Sequence, residues 1–227
     1  PLSPIHKSER GFKHKISGRL LCPIDYNWDD MGVQQKIREG HPDYIVTGDS
    51  WPVFLFPNGK ADPTDFKKGL FRSALLLKTY KFLFTSPTSA QDIDSEKDLE
   101  DPAPRTFKRK RGNRVPTRGH VANLMGMKSV TPRSIAYVAV QLRFSLSNAS
   151  AWQEDNGLFN YAHFYNNVID YFELTPGPAA LKQSKELLSW WSSKIFGKHT
   201  TPVPAGSQPN SSVAKLAAQR AARERRI

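Results

Sequence analysis

Apolar residues recur at helical spacing in four stretches of the chain, each bounded by recognisable start and stop residues. In 62–84, Leu70, Phe71, Ala74, Leu75, Leu77, Tyr80, Phe82 and Phe84 wrap most of a helical circumference. That pattern predicts a central helix buried on more than one side, with Thr64 as its N-cap and Ser86-Pro87 as its stop. In 129–150, Thr131 followed by Pro132 is an N-cap and N1 pair. Ile135, Val138, Ala139, Leu142 and Leu146 then share one face, which Tyr137, Val140 and Phe144 widen. Residues 160–173 repeat the logic with Phe164, Val168, Tyr171 and Phe172 and end before Pro176. Pro178 opens a last helix over 179–196, with Leu181, Leu187, Leu188, Trp191 and Ile195 as its apolar set and Gly197 as its close.

Outside these stretches the periodicity weakens. Asp29 is expected to cap a short helix over 30–39 that Gly40 and Pro42 end. Residues 43–56 read as extended, broken by Gly48-Asp49 and Pro52, so a small hairpin or irregular cover is expected there. Residues 88–120 hold almost no apolar side chains and three prolines, too little to offset the entropy of ordering, and read as a flexible charged insertion. Residues 1–19 read as a basic arm, and 198–227 as a Pro/Ser-rich linker followed by a basic stretch of high helix propensity. The predicted fold class is therefore mainly α: a single compact domain over 20–197 of about four to five helices, with an irregular N-terminal cover, a disordered insertion and a basic tail.

Charge sharpens that division. The net charge of +12 sits at the edges: +4 in 1–19, −5 in 91–101, +7 in 102–118 and +5 in 198–227, which leaves the expected body nearly neutral. The apolar runs are too short to span a bilayer, so no membrane partner is expected. The chain begins at Pro1 rather than Met and shows no leader, as a fragment or processed chain would. Cys22 is the only cysteine, which rules out an internal disulfide or a thiolate zinc site within one chain and points to a reducing, intracellular setting.

Motif chemistry is sparse, and no catalytic, cofactor-binding or metal-binding residue is assigned. The six histidines are scattered; His163, with Asn166, Asn167 and Asp170 one and two turns on, reads first as a surface or partly buried helix residue, with a metal or acid–base role as the lesser alternative. Neither a phosphate-binding glycine loop nor a nucleophile elbow occurs. Ser86, Thr88 and Ser89 are explained by a helix-terminating turn, and Cys22, followed by Pro23, by burial. Trp51, Trp152, Trp190 and Trp191 fit core packing, with Trp190 the exception: it stands about 100° from Trp191 around its helix and marks a candidate partner face.

The strongest functional signal is Lys108, Arg109, Lys110 and Arg111, with Arg114 and Arg118 beyond. An extended basic peptide of this kind suits the acidic groove of a nuclear import receptor, and the same charges suit phosphate. Import signal ranks first, a solvated loop second and direct nucleic-acid contact third. The reading is a non-enzymatic helical interaction module, nuclear in preference to cytoplasmic, with a protein partner and weak electrostatic association with nucleic acid. The alternatives are an enzyme whose site assembles only in the fold, or a protein-assembly module.

Six strings in order, GRLLCPIDYNWDD, DSWPVFLFPNGKADP, KGLFRSALLLKTYKFLFTSPTSA, MKSVTPRSIAYVAVQLRFSLSNAS, FYNNVIDYFE and LLSWWSSKIF, carry a resemblance. They are similar to the blocks of an uncharacterised domain family expanded in mushroom-forming basidiomycete fungi. The resemblance covers roughly residues 10–197, leaves out the tail, and implies no activity, cofactor or site residue.

Overall fold

Thr131 and Pro132 start a helix as their chemistry demands: the Thr131 hydroxyl accepts from the Ser134 amide, and the Ser134 hydroxyl in turn accepts from the Thr131 amide. In the computed structural model, which describes residues 6–91, 93 and 121–197, this helix is the centre of a mostly α-helical body. In chain order the α-helices are α1 (Lys15–Leu21), α2 (Met31–Glu39), α3 (Ala74–Phe84), α4 (Pro87–Gln91), α5 (Val121–Leu124), α6 (Pro132–Leu146), α7 (Tyr161–Glu173) and α8 (Pro178–Phe196). The strands β1 (Asp155–Asn156) and β2 (Phe159–Asn160) pair antiparallel, Asp155 opposite Asn160, across a turn in which Gly157 takes φ +64°.

α6 packs along α7 and α3, and Ile135, Val138, Ala139 and Leu142 are buried between them. Tyr80 of α3 donates from its hydroxyl to Ser134 at 2.9 Å, which ties the polar start of α6 into the core without an unpaired group. α7 contributes Tyr161, Phe164, Val168 and Phe172, and α8 contributes Leu187 and Trp191. Leu181, expected on the apolar face of α8, is 42% exposed, because the first turns of that helix run past the edge of the core.

Two expected boundaries move. α3 begins at Ala74, not near Thr64, with Ser73 as its N-cap. Upstream, Thr64 is held instead in a turn by Asp62, whose carboxylate also takes Lys68; these contacts hold the Asp62 carboxyl well below its ordinary range. Gly69 at φ +81° and Phe71 at φ +58° then interrupt any helical path, so the apolar run from Leu70 enters the core as a loop. At the other end, residues 88–91, expected within the flexible insertion, belong to α4, while residues 92 and 94–120 of that expected insertion lie outside the described residues. Pro87 opens α4, the Ser86 hydroxyl accepts from the Ser89 amide, and Ile93 is buried.

The N-terminal residues are not an arm from position 6 onward. Short 3₁₀ turns at Lys7–Glu9 and Gly11–Lys13 lead into α1; the Ser17 hydroxyl donates to the Gly11 carbonyl at 2.9 Å, and Gly11, Ser17, Gly18 and Leu21 are buried. Weighing the charge of this segment hid its apolar residues: Phe12, Leu20 and Leu21 face the body while Lys13, Lys15 and Arg19 face solvent. Asp30, one residue beyond the expected cap, caps α2 by accepting from the Gly32 and Val33 amides. Residues 43–56 form 3₁₀ turns at Pro42–Tyr44 and Val53–Leu55 rather than extended strands, since Pro52 leaves only an isolated bridge to Pro23.

Candidate functional site

The segment that joins α1 to α2 folds back over its own beginning. The Trp28 indole donates to the Lys15 carbonyl at 3.1 Å and packs against Gly18, where any Cβ would stand 2.3 Å from the ring. The bridge places the Ile24 amide on the Trp51 carbonyl and the Val53 amide on the Cys22 carbonyl, each at 3.0 Å. These bonds tether residues 22–24 to 51–53, and beyond them a cleft of about 570 Å³ opens between residues of 19–29 and of 53–66.

Cys22, Ile24, Trp28 and Val53 contribute apolar surface to the cleft, and Phe66, 48% exposed, stands at its edge. The charged lining is mixed. Arg19 and Asp29 form an ion pair; Asp25 and Lys60 also line the cleft and take part in no ion pair among the described residues. Burial, and then the Asp25 carboxylate, push the Cys22 thiol up to about 12, so at neutral pH it is a protonated donor to the Pro23 and Tyr26 carbonyls and not a nucleophile. A cleft of apolar floor and opposed, unpartnered charges is suited to holding a segment of another molecule by shape and charge.

A second polar cluster lies on α7. His163 Nε2 stands 2.6 Å from an Asp49 carboxylate oxygen, and the Asn167 amide donates to the same oxygen and to the Gly48 carbonyl, each at 3.1 Å. A Cβ on Gly48 would meet His163 at 2.8 Å and the Asn160 carbonyl at 3.0 Å, so the loop is seated directly on the helix. Its role is to fasten residues 47–50 to α7. The hydrogen bond from His163 is the main reason that the Asp49 carboxyl titrates below its ordinary value. A depressed carboxyl stabilises the fold at pH values above its unfolded pKa, and that contribution disappears as pH falls through the folded value. Asp49→Asn is therefore expected to be less stable than the parent at neutral pH and to converge with it in acid, as read by urea midpoints across a pH series.

Of the residues singled out in the sequence, Lys108, Arg109, Lys110, Arg111, Arg114 and Arg118 lie outside the described residues. Trp191 is fully buried and Trp190 half-buried, edge-on to it at 5.8 Å, with the Arg72 guanidinium 5.1 Å over the Trp190 ring. Trp152 does not sit in the core: it lies in the loop after α6 and is 50% exposed. The cleft residues Arg19, Asp25, Lys60 and Phe66 follow no spacing rule, because they come from separate segments that the fold brings together, the Pro23–Pro52 bridge among its ties. Among the described residues, no cluster of three or more His, Cys, Asp or Glu could hold a metal, and no helix is long and apolar enough to cross a membrane.

Both walls of the cleft fall within a single family match. The profile of a family of unknown function (DUF6698) matches residues 1–196. The chain belongs to this family. The DUF6698 match runs from the first residue to the last residue of α8, so it takes in the cleft, the His163 cluster and the Trp190 face, and stops where the basic tail begins. No curated protein and no solved structure gives a significant match.

Proposed function

We propose that this DUF6698 chain is a non-enzymatic interaction module of the nucleus, in which the cleft receives a short segment of a protein partner. The observation that carries the reading is the cleft itself: an apolar floor with Phe66 exposed at its edge, lined by Asp25 and Lys60, each without an ion-pair partner among the described residues. A segment that places an apolar side chain between a basic and an acidic one satisfies all three. The run Lys108–Arg111 supports nuclear import by an acidic receptor, and the basic segments 102–118 and 198–227 support weak, salt-sensitive association with nucleic acid. The ordered strings quoted above support assignment to the basidiomycete branch of fungal proteins.

Two measurements test the reading. Peptides selected from a random display library on the intact chain are expected to lose binding to Phe66→Ala and to Lys60→Glu, with binding to Asp49→Asn unchanged; selected peptides indifferent to both cleft substitutions would sink the cleft assignment. Replacing Lys108 to Arg111 with Ala in a fluorescent fusion is expected to disperse nuclear signal into the cytoplasm. Undiminished nuclear accumulation removes the import role from this run.

A further inference from the structure

The end of α6 and the loop behind it carry an aromatic cluster that cations surround. Trp152, half exposed, lies 4.8 Å from Tyr161 and 5.4 Å from Phe144, ring centre to ring centre. Lys7 Nζ stands 3.2 Å over the Phe144 ring, so the ammonium and the indole border the same side chain. Arg10 follows Lys7 by one turn, donates from Nη1 to the Ser145 carbonyl at 3.0 Å, and keeps a buried Nε that has no hydrogen-bond partner. Arg143 lies beneath, 4% exposed, with its guanidinium 3.1 Å over the Phe159 ring and one N–H on the Tyr161 hydroxyl at 3.3 Å.

Among the described residues these three cations lack acid partners. None of the ion pairs among the described residues involves Lys7, Arg10 or Arg143; the acids nearest in sequence, Glu9 and Glu154, are exposed and pair with none of them. A positive field beside an exposed, flat indole matches one ligand chemistry well. Unpaired bases offer a π-face to stack and phosphates to neutralise, whereas duplex DNA hides the first.

The geometry points to a binding face for single-stranded nucleic acid, in which a base stacks on Trp152 and the adjoining phosphates meet Lys7 and Arg10. Arg143 supplies positive potential from below and fixes Tyr161, against which Trp152 rests. This goes beyond electrostatic association through the basic segments, because it places a base-contacting group on the folded body, and it does not depend on the cleft.

The test uses the full chain and a fluorescein-labelled oligothymidylate, read by anisotropy, with a duplex of equal length and polyglutamate as comparators. Trp152→Ala is expected to weaken oligothymidylate binding about 5- to 150-fold, the range that one stacked base supports, while Trp152→Phe keeps most of the affinity because it retains a ring. Lys7→Ala with Arg10→Ala should flatten the logarithmic salt dependence by about 0.7 for each phosphate no longer neutralised. Lys108–Arg111→Ala should weaken binding without removing the difference between Trp152 and its Ala variant. Equal affinity of Trp152→Ala and parent overturns the stacking face, as does a duplex bound as tightly as the single strand. Displacement by polyglutamate as effective as by oligothymidylate also overturns it, in favour of an acidic protein segment. Failure of the parent chain and all its variants to bind the oligonucleotide overturns the face but leaves the cleft, which is judged by its own peptides.

Discussion

Trp191→Ala is expected to lower unfolding stability by about 3–5 kcal/mol, the range for truncating a large aromatic residue in a core that cannot collapse around the loss. Trp191 is completely buried where α8 meets α3, with the Tyr80 ring 5.4 Å away. Its indole N–H donates 3.0 Å to the Phe71 carbonyl. That bond matters beyond its own strength, because Phe71 is a bulky residue held at φ +58°, a conformation that costs on the order of 1–3 kcal/mol and persists only where its surroundings fix it. Trp51, Tyr171 and Phe172 close around the Phe71 ring, and Trp191 holds its backbone. Trp191→Phe separates the two roles: the ring area is largely kept, the carbonyl is left unpaired, and about 1–3 kcal/mol is the expected loss. Since whole domains hold about 5–15 kcal/mol, a loss of this size is a large fraction of the total and should shift the unfolding midpoint well below the parent's. Urea titration with circular dichroism reads both, and a midpoint for Trp191→Ala equal to the parent's would remove Trp191 from the core.

The same hydrogen bond explains one limit of reading this fold from its sequence. The apolar run from Leu70 to Phe84 looks like one long helix, and nothing in the residue types says that Phe71 turns left-handed. That conformation is imposed by Trp191, 120 positions away in the chain. Where start and stop chemistry is local, sequence and structure agree. The Thr131-Pro132 pair starts α6, and Pro178 and Gly197 bracket α8. In the N-terminal third, turns depend on partners elsewhere: Gly18 needs Trp28, and Gly48 needs α7. The candidate sites behave likewise. The partial exposure of Trp190 was legible because two adjacent tryptophans on a helix cannot both face inward. The cleft was not, since its walls are separate segments joined by an isolated bridge. Arg143 was hidden for a simpler reason: an arginine among apolar helix positions reads as the polar edge of the face, and only the fold shows that Phe159 and Tyr161 enclose it.

Arg143 supplies the second large effect, and its sign depends on what replaces it. The buried guanidinium has aromatic faces and one hydroxyl but no carboxylate, and desolvation lowers its pKa to about 10, with Tyr161 opposing the shift. It therefore remains charged at neutral pH, at a cost. A base with a depressed folded pKa is disfavoured in the fold wherever it is protonated, and the penalty is relieved as pH rises through about 10 toward the unfolded value. Cation–π attraction, about 2 kcal/mol when desolvated, offsets part of this. Arg143→Ala removes the cation but empties the space beneath Phe159 and leaves the Tyr161 hydroxyl without its donor, so a loss of about 2–5 kcal/mol is expected. Arg143→Met fills the same space with a flexible apolar chain and needs no desolvation, so it should lie within about 1–2 kcal/mol of the parent and well above Ala. Thermal and urea unfolding of the three proteins at neutral pH give the order. Should Met prove as damaging as Ala, the guanidinium's own bonds hold the α6–α7 junction, and packing is the lesser part of its role.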